Sequence, residues 1–407
     1  QAQQSPSQTI GDKGWMKNML HTIGGSDSLE NAQFSVYMNG YKSIVEDTLF
    51  GARVETFAKT SVATIEQQQS QRNFFTFNVN RPTSYLAMSL SEKYVLISQK
   101  GSIGFLGSTH FGIAPFLNFY NDKLYNKISR TMYGNTIGNQ LKATLQDLGA
   151  NPTSLDFYTR MHMEEINLHG DPALKINAFT RPDYVIEDQL VKFTPTIISV
   201  ADQTFKLDIK MMNIGRAIKD SIRVTIKQKL PNDSIRVLYN QIIPAILYMD
   251  SVSLTVPINP TTDKGLNKLL VSLDVDNRVS ELSETNNDLI KDFYIFEDEL
   301  RPISPYNYSI VKQQNITFYA STANPLSTQR QYVMEVDTTE LYNSVFKKAY
   351  SVSGVGGVVE FKPANITFTD STVYYWRTAT VPAPGIIHLF ICLTAPMGII
   401  NHILISI

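Results

Sequence analysis

The sequence predicts a multidomain chain, an incomplete α/β domain followed by two β-sandwich modules, on three observations. Residues 1–180 alternate helix-period and strand-period segments, the pattern of a largely parallel sheet covered by helices. Residues 183–297 change to short runs with period-two alternation, separated by turn clusters and containing no helical stretch. Residues 301–381 repeat that style with proline joints at Pro302, Pro305 and Pro325.

In the first block, Phe34, Tyr37, Tyr41, Ile44, Val45 and Leu49 recur at steps of three and four. This spacing predicts a helix with one buried stripe across residues 28–51, stopped by Gly51. ARVETFAK follows as a short strand, and residues 91–98 as a turn or two of helix. KGSIGFLGST, an apolar run between glycines, is a buried central strand. Residues 118–129 and 136–148 are two further amphipathic helices. In the second block TFKLDIKMMNIG, DSIRVTIKQKL, DSVSLTVPI, NKLLVSLDVD and DLIKDFYIF are the strands of a sandwich. In the third, ISPYNYSIV, ITFYAST, QYVMEVDTT, GVVEFKP and STVYYWRT form a second, incomplete one. Residues 382–407 carry no Asp, Glu, Lys or Arg and no strand alternation, which marks an aberrant apolar tail. Pro396 and Gly398 interrupt it, and no basic flank accompanies it, so a membrane span is disfavoured.

Composition narrows the function. At roughly 150 residues per domain, 407 residues imply two or three domains. Lys plus Arg number 36 against 37 Asp plus Glu, a balance that argues against nucleic acid as a partner. The single cysteine, Cys392, excludes an intrachain disulfide and a cysteine-built zinc site. His21, His110, His162, His169, His388 and His402 lack metal-ligand spacing, so no metal is expected. Asp274, Asp276, Glu281, Glu284 and Asp288 are better explained as turn carboxylates than as cation ligands. The glycines of GSIGFLG lack the G-K-[ST] ending of a phosphate loop, and no cofactor is expected. The opening QAQQSPSQTIGDKGW has no basic or apolar leader region, so the chain is expected to be an internal fragment.

Four stretches of the first block, GDKGWMKNMLHTIGG, YKSIVEDTLFGARVETFAKTS, KGSIGFLGSTHFG and NLHGDPALKI, together resemble the gingipain-type cysteine peptidases of Bacteroidetes. MMNIGRAIKDSIRVTI and LDVDNRVSELSETNND resemble a CARDB-type immunoglobulin-like module, and the third block is similar to a fibronectin-like one. The combination is most similar to the sortase-like peptidases of type IX secretion. The resemblance implies a caspase-like α/β fold for the first block and cleavage of C-terminal sorting signals. It also implies secreted cargo and outer-membrane secretion components as partners, and export to the outer membrane or cell surface. Membrane association stays open.

The family's chemistry needs a thiolate to attack the scissile carbonyl and an imidazole for the leaving-group proton. The resemblance puts the His, in a G-H pair, and the Cys, in a polar loop, between TFAKTSVATI and SLSEKYVL. Here that interval is IEQQQSQRNFFTFNVNRPTSYLAM, with neither residue. A strand–helix–strand unit takes about 30 residues, and residues 66–74 are too few. The expectation is therefore that the catalytic unit is missing, that no catalytic residue is present, and that apolar edges are left open at residues 101–109. Ser108, Thr109 and His110, at the end of the central strand, are candidates for lining a substrate cleft. A dyad of His388 and Cys392 is disfavoured because Pro384 and Pro396 leave little helix between them. His169 and Asp171 in LHGDPAL are expected to serve a turn. The rival reading is a non-catalytic surface or scaffold protein.

Overall fold

The computed structural model describes residues 8–23, 27–58, 75–77, 95–96, 104–109, 112–150, 155–312, 314–364, 366–381 and 401–405. The first block is a helix-covered sheet. Its strands are β1 (Asn18–Ile23), β2 (Arg53–Ala58), β3 (Phe75–Phe77), β4 (Gly104–Ser108) and β5 (Ile166–Gly170), in spatial order β2-β1-β3-β4-β5. The first four run parallel, and β5 pairs antiparallel with β4. Residues 101–103 of the expected open edge lie outside the described residues, and within β4 that edge is closed at Phe105 and Leu106. β4 pairs along its whole length with β5 on one side and at Phe105 and Leu106 with β3 (Thr76↔Phe105, Phe77↔Leu106) on the other.

The helices are α1 (Ile10–Lys13), α2 (Ser28–Val45), α3 (Ala114–Asn126), α4 (Ile137–Gly149) and α5 (Phe157–Glu165). Asp27, Thr136 and Asp156 cap α2, α4 and α5 by accepting backbone N–H groups of their first turns. The stripe of α2 is buried at Tyr41, Ile44 and Val45 and half-buried at Phe34 and Tyr37, as its spacing requires. Its end differs from expectation. The helix stops at Val45, and Gly51, at φ +57°, instead lets the chain pass the sandwich. A Cβ there would lie 2.5 Å from both Ala217 Cβ and the Leu247 carbonyl oxygen. Tyr120, Leu124, Tyr125, Ile128 and Ile137 complete the core beneath the sheet.

The second block is a β-sandwich. One sheet has order β11-β10-β13-β14-β8, with β8 (Ile198–Ser199), β10 (Ser221–Lys229), β11 (Ile235–Pro244), β13 (Gly265–Ser272) and β14 (Asp288–Phe296). The other is built on β9 (Thr204–Asn213), flanked by β12 (Met249–Pro257) and β6 (Tyr184–Val185), with β7 (Val191–Thr194) also paired to β9. Alternate residues point inward: Phe205, Leu207, Ile209 and Met211 from β9 meet Ile222, Val224 and Ile226 from β10 and Leu269 and Val271 from β13. Each such side chain, once buried, stabilises by about 1.5–3 kcal/mol.

The third block packs the sheet β15-β17-β20 against β16-β22-β21-β18-β19. Its strands are β15 (Leu300–Ser304), β16 (Ser309–Val311), β17 (Phe318–Thr322), β18 (Arg330–Asp337), β19 (Lys348–Gly354), β20 (Val358–Phe361), β21 (Thr372–Thr380) and β22 (Asn401–Ile405). Phe318, Tyr332, Met334, Tyr374 and Trp376 are its core. Part of the apolar tail thus joins the module, since β22 pairs antiparallel with β21 and parallel with β16. Residues 382–400 lie outside the described residues. Among the described residues no helix is long and apolar enough to cross a membrane.

The first two blocks are joined by polar contacts. Leu49 and Ala217 exchange both backbone hydrogen bonds, at 2.8 and 3.1 Å. Ile10 N–H donates to Glu187 at 2.8 Å, and the Tyr248 hydroxyl to Asn18 at 3.1 Å. Within the sandwich, Asn213 saturates its side chain: Oδ1 accepts from Asp183 and Gly215 N–H, and Nδ2 donates to the Arg216 and Ile246 carbonyls.

Candidate active site

Parallel strands place their carboxyl ends on one edge of a sheet, which is where open α/β folds bind ligands. In this chain that edge is formed by Ile23, Ala58, Phe77 and Ser108, the last residues of β1 to β4. Ser108 is half-buried and sits in register with Ile166. Thr109 is exposed, but both its donors go to one carbonyl: its N–H reaches Glu165 O at 2.9 Å and its hydroxyl the same atom at 3.2 Å. Thr109 therefore ties the end of β4 to the end of α5. His110, Cys392 and His388 lie outside the described residues.

His21 and His162 are used structurally. His21, on β1, is fully buried and shares a 2.7 Å hydrogen bond with the Tyr125 hydroxyl. Tyr125 in turn stacks on Tyr41 at 4.8 Å between ring centroids. Burial, reinforced by the nearby Lys42 charge, pulls the His21 imidazole down to about 4, against the Met38 carbonyl. It is neutral at physiological pH. His162 is equally committed: Nδ1 donates to the Tyr158 carbonyl at 2.7 Å, and Nε2 accepts from Ile113 N–H at 2.8 Å. The ring thereby caps the start of α3, where Ile113 has no side-chain cap of its own. His169 is a strand residue of β5 opposite Phe105, rather than a turn residue as its GDPAL context implied. The turn follows it, with Gly170 at φ 150° and Asp171 accepting from Ala173 N–H at 2.8 Å.

At this edge the described side chains at the end of β4 carry two hydroxyls, those of Ser108 and Thr109. Ser108 and Thr109 can line a cleft, and the Thr109 hydroxyl is committed to the Glu165 carbonyl.

Of the acidic residues singled out in the sandwich, Asp274, Asp276, Glu281 and Glu284 lie in the connection between β13 and β14, and Asp288 opens β14. Asp274 accepts from Arg278 and Val279 N–H at 3.2 and 2.8 Å, and Asp276 pairs with Arg223 at 2.8 Å. Glu281 accepts from Tyr184 N–H at 2.6 Å, and burial pushes its carboxyl up to about 8. Among the described residues no group of His, Cys, Asp or Glu is placed to hold a metal ion.

Several buried charged residues escaped the sequence reading, among them Lys13, Lys17, Asp183, Asp263 and Asp337. Lys17 lies at the joint with the sandwich, fully buried. Its only sequence signal is a lysine between Met16 and Asn18, just before the buried strand β1.

The chain matches no curated protein. Among solved structures it is similar to the CARDB domain of a Pyrococcus furiosus protein, crystallised with di-metal ions. There the identity is 19%, covering 29% of this chain and 90% of that one, at a TM-score of 0.23. It is also similar to the Arg-specific cysteine proteinase gingipain R, at 12% identity over 70% of this chain and 68% of that one, with a TM-score of 0.31. A complex of the pro- and mature domains of RgpB from Porphyromonas gingivalis gives 13% identity over 70% of each chain, at a TM-score of 0.28. The sequence model of peptidase family C25 matches residues 75–177, so the α/β part of the chain, from β3 to just beyond β5, resembles that peptidase family.

Proposed function

We propose that this chain is a type IX secretion sortase-like relative of the gingipain-type peptidases that does not itself cleave peptide bonds. Its partners are exported cargo proteins and outer-membrane secretion components, met at the outer membrane or cell surface. The observation that carries the reading is the carboxyl edge of the sheet. It offers Ser108 and Thr109 but, among the described residues, no thiol and no imidazole facing the edge. The sequence supports the same view, because the only cysteine is Cys392. Peptide hydrolysis by this family's chemistry requires a thiolate and a proton acceptor in contact.

The test is turnover of fluorogenic peptides, including C-terminal sorting-signal sequences, with and without iodoacetamide. No thiol-sensitive hydrolysis is expected. Turnover that vanishes in Cys392→Ser would overturn the reading. A second reading, a binding or scaffold protein of the cell surface, is favoured by the Thr109 hydroxyl being spent on the Glu165 carbonyl. It predicts cargo capture without cleavage. The gene sequence across residues 64–74 separates the two: an encoded G-H pair and Cys loop there means that the parent protein is an enzyme.

A further inference from the structure

Lysine is rarely fully buried without a counter-ion. Lys17 is 0% exposed. Its Nζ donates to the Asn213 carbonyl and to the Leu247 carbonyl, each at 2.9 Å, and both acceptors belong to the sandwich. Among the described residues no carboxylate lies within ion-pair distance of it. An ammonium carries three N–H donors. A neutral amine carries two, and two acceptors are what the site provides. The third N–H of an ammonium would be left buried and unpartnered, which is costly.

We propose that Lys17 docks as the neutral amine, so that closing the joint between the α/β domain and the first sandwich expels a proton and the joint tightens as pH rises. The charged group facing Lys17 from the sandwich is Asp183, itself fully buried, with Oδ1 held by Asn286 and Oδ2 unpartnered. Lys13 and Glu284 also act on Asp183. Burial lowers the Lys17 amine to about 7, against the pull of Asp183. Burial likewise raises Asp183 to about 6, so it stays ionised above neutral pH and its pull on Lys17 is constant there. Burial pushes Glu281 to about 8, with Glu284 and Asp183 adding to it. Its hydrogen-bond partners Tyr184 and Asn287 belong to the sandwich, and it is retained in Lys17→Met, so that variant separates its titration from that of Lys17.

An exposed lysine keeps its proton to about 10.4, whereas the docked one loses it from about 7. Between those limits the open form binds one more proton. The closing equilibrium therefore gains about tenfold per pH unit over that range.

The test is hydrogen exchange in the full chain at Leu49 and Ala217, whose amides bond across the joint. After correction for intrinsic rates, protection should rise about fiftyfold from pH 7 to 9, because about half of the docked amine is still protonated at pH 7. Lys17→Met should abolish the slope, and Ile209, in the sandwich core, should not share it. A flat profile in the native chain, a slope kept by Lys17→Met, or the same slope at Ile209 would each overturn the proposal. Should Lys17→Met fail to fold, 15N NMR of the native lysine Nζ groups decides. An amine signal from Lys17 at pH 8 supports the proposal, and an ammonium signal ends it.

Discussion

Lowering the pH from 7 to 4 should strip stability from the α/β domain through one residue, His21. Its ring is fully buried beneath α2 and α3, against Tyr125. In the unfolded chain the imidazole takes up a proton near 6.5, whereas in the fold it does so only near 4. Between those values the unfolded state binds one more proton, so stability falls as pH falls. The contribution is fully present above 6.5 and gone once pH passes below 4. A displacement of that size corresponds to about 3 kcal/mol, a large share of the 5–15 kcal/mol that typically holds a domain together. The assay is urea unfolding at pH 7, 5.5 and 4, followed by hydrogen exchange of the β1 peptide 18–23. The control is His21→Leu with Tyr125→Phe, in which neither partner is left as an unsatisfied polar group. Surface carboxylates contribute equally to both proteins, so the difference isolates His21. Equal losses in the native chain and the double variant would refute the reasoning.

Other outcomes follow from packing. Gly215→Ala should destabilise the first sandwich by about 1–3 kcal/mol, because the added Cβ would stand 2.5 Å from the Arg181 carbonyl oxygen and 2.7 Å from Asp183 N. Both obstacles are backbone and cannot swing aside, and denaturant melts of the variant will read the cost. Trp376→Ala should cost about 3–5 kcal/mol in the third module, since the ring is fully buried and meets Phe318 edge to face at 5.0 Å. Trp376→Phe should cost much less, because Nε1 has no hydrogen-bond partner to lose among the described residues. Thermal melts of the two variants side by side would expose an error if the Phe replacement proved as damaging as the Ala one.

What local pattern determines was legible in the sequence. The five period-two runs in residues 183–297 became β9, β10, β12, β13 and β14 because alternation commits one face of each strand to a core, as Leu207, Ile209 and Met211 show; β11 was not among them. The stripe from Phe34 to Val45 became α2, and the glycine-flanked run became β4, for the same reason. Even the absence of a catalytic pair between residues 64 and 74 is a property of composition alone. The end of α2 was misplaced because Gly51 answers to a distant neighbour, the Leu247 carbonyl, and not to the helix before it. The pairing on both sides of β4, the strand formed by Asn401–Ile405 and the structural duty of His162 likewise depend on groups far apart in the chain. Lys17 is the clearest case. As a sequence letter it is an ordinary solvated cation. Only the fold brings it against two carbonyls some 200 residues away, with water excluded, and there burial outweighs its charge.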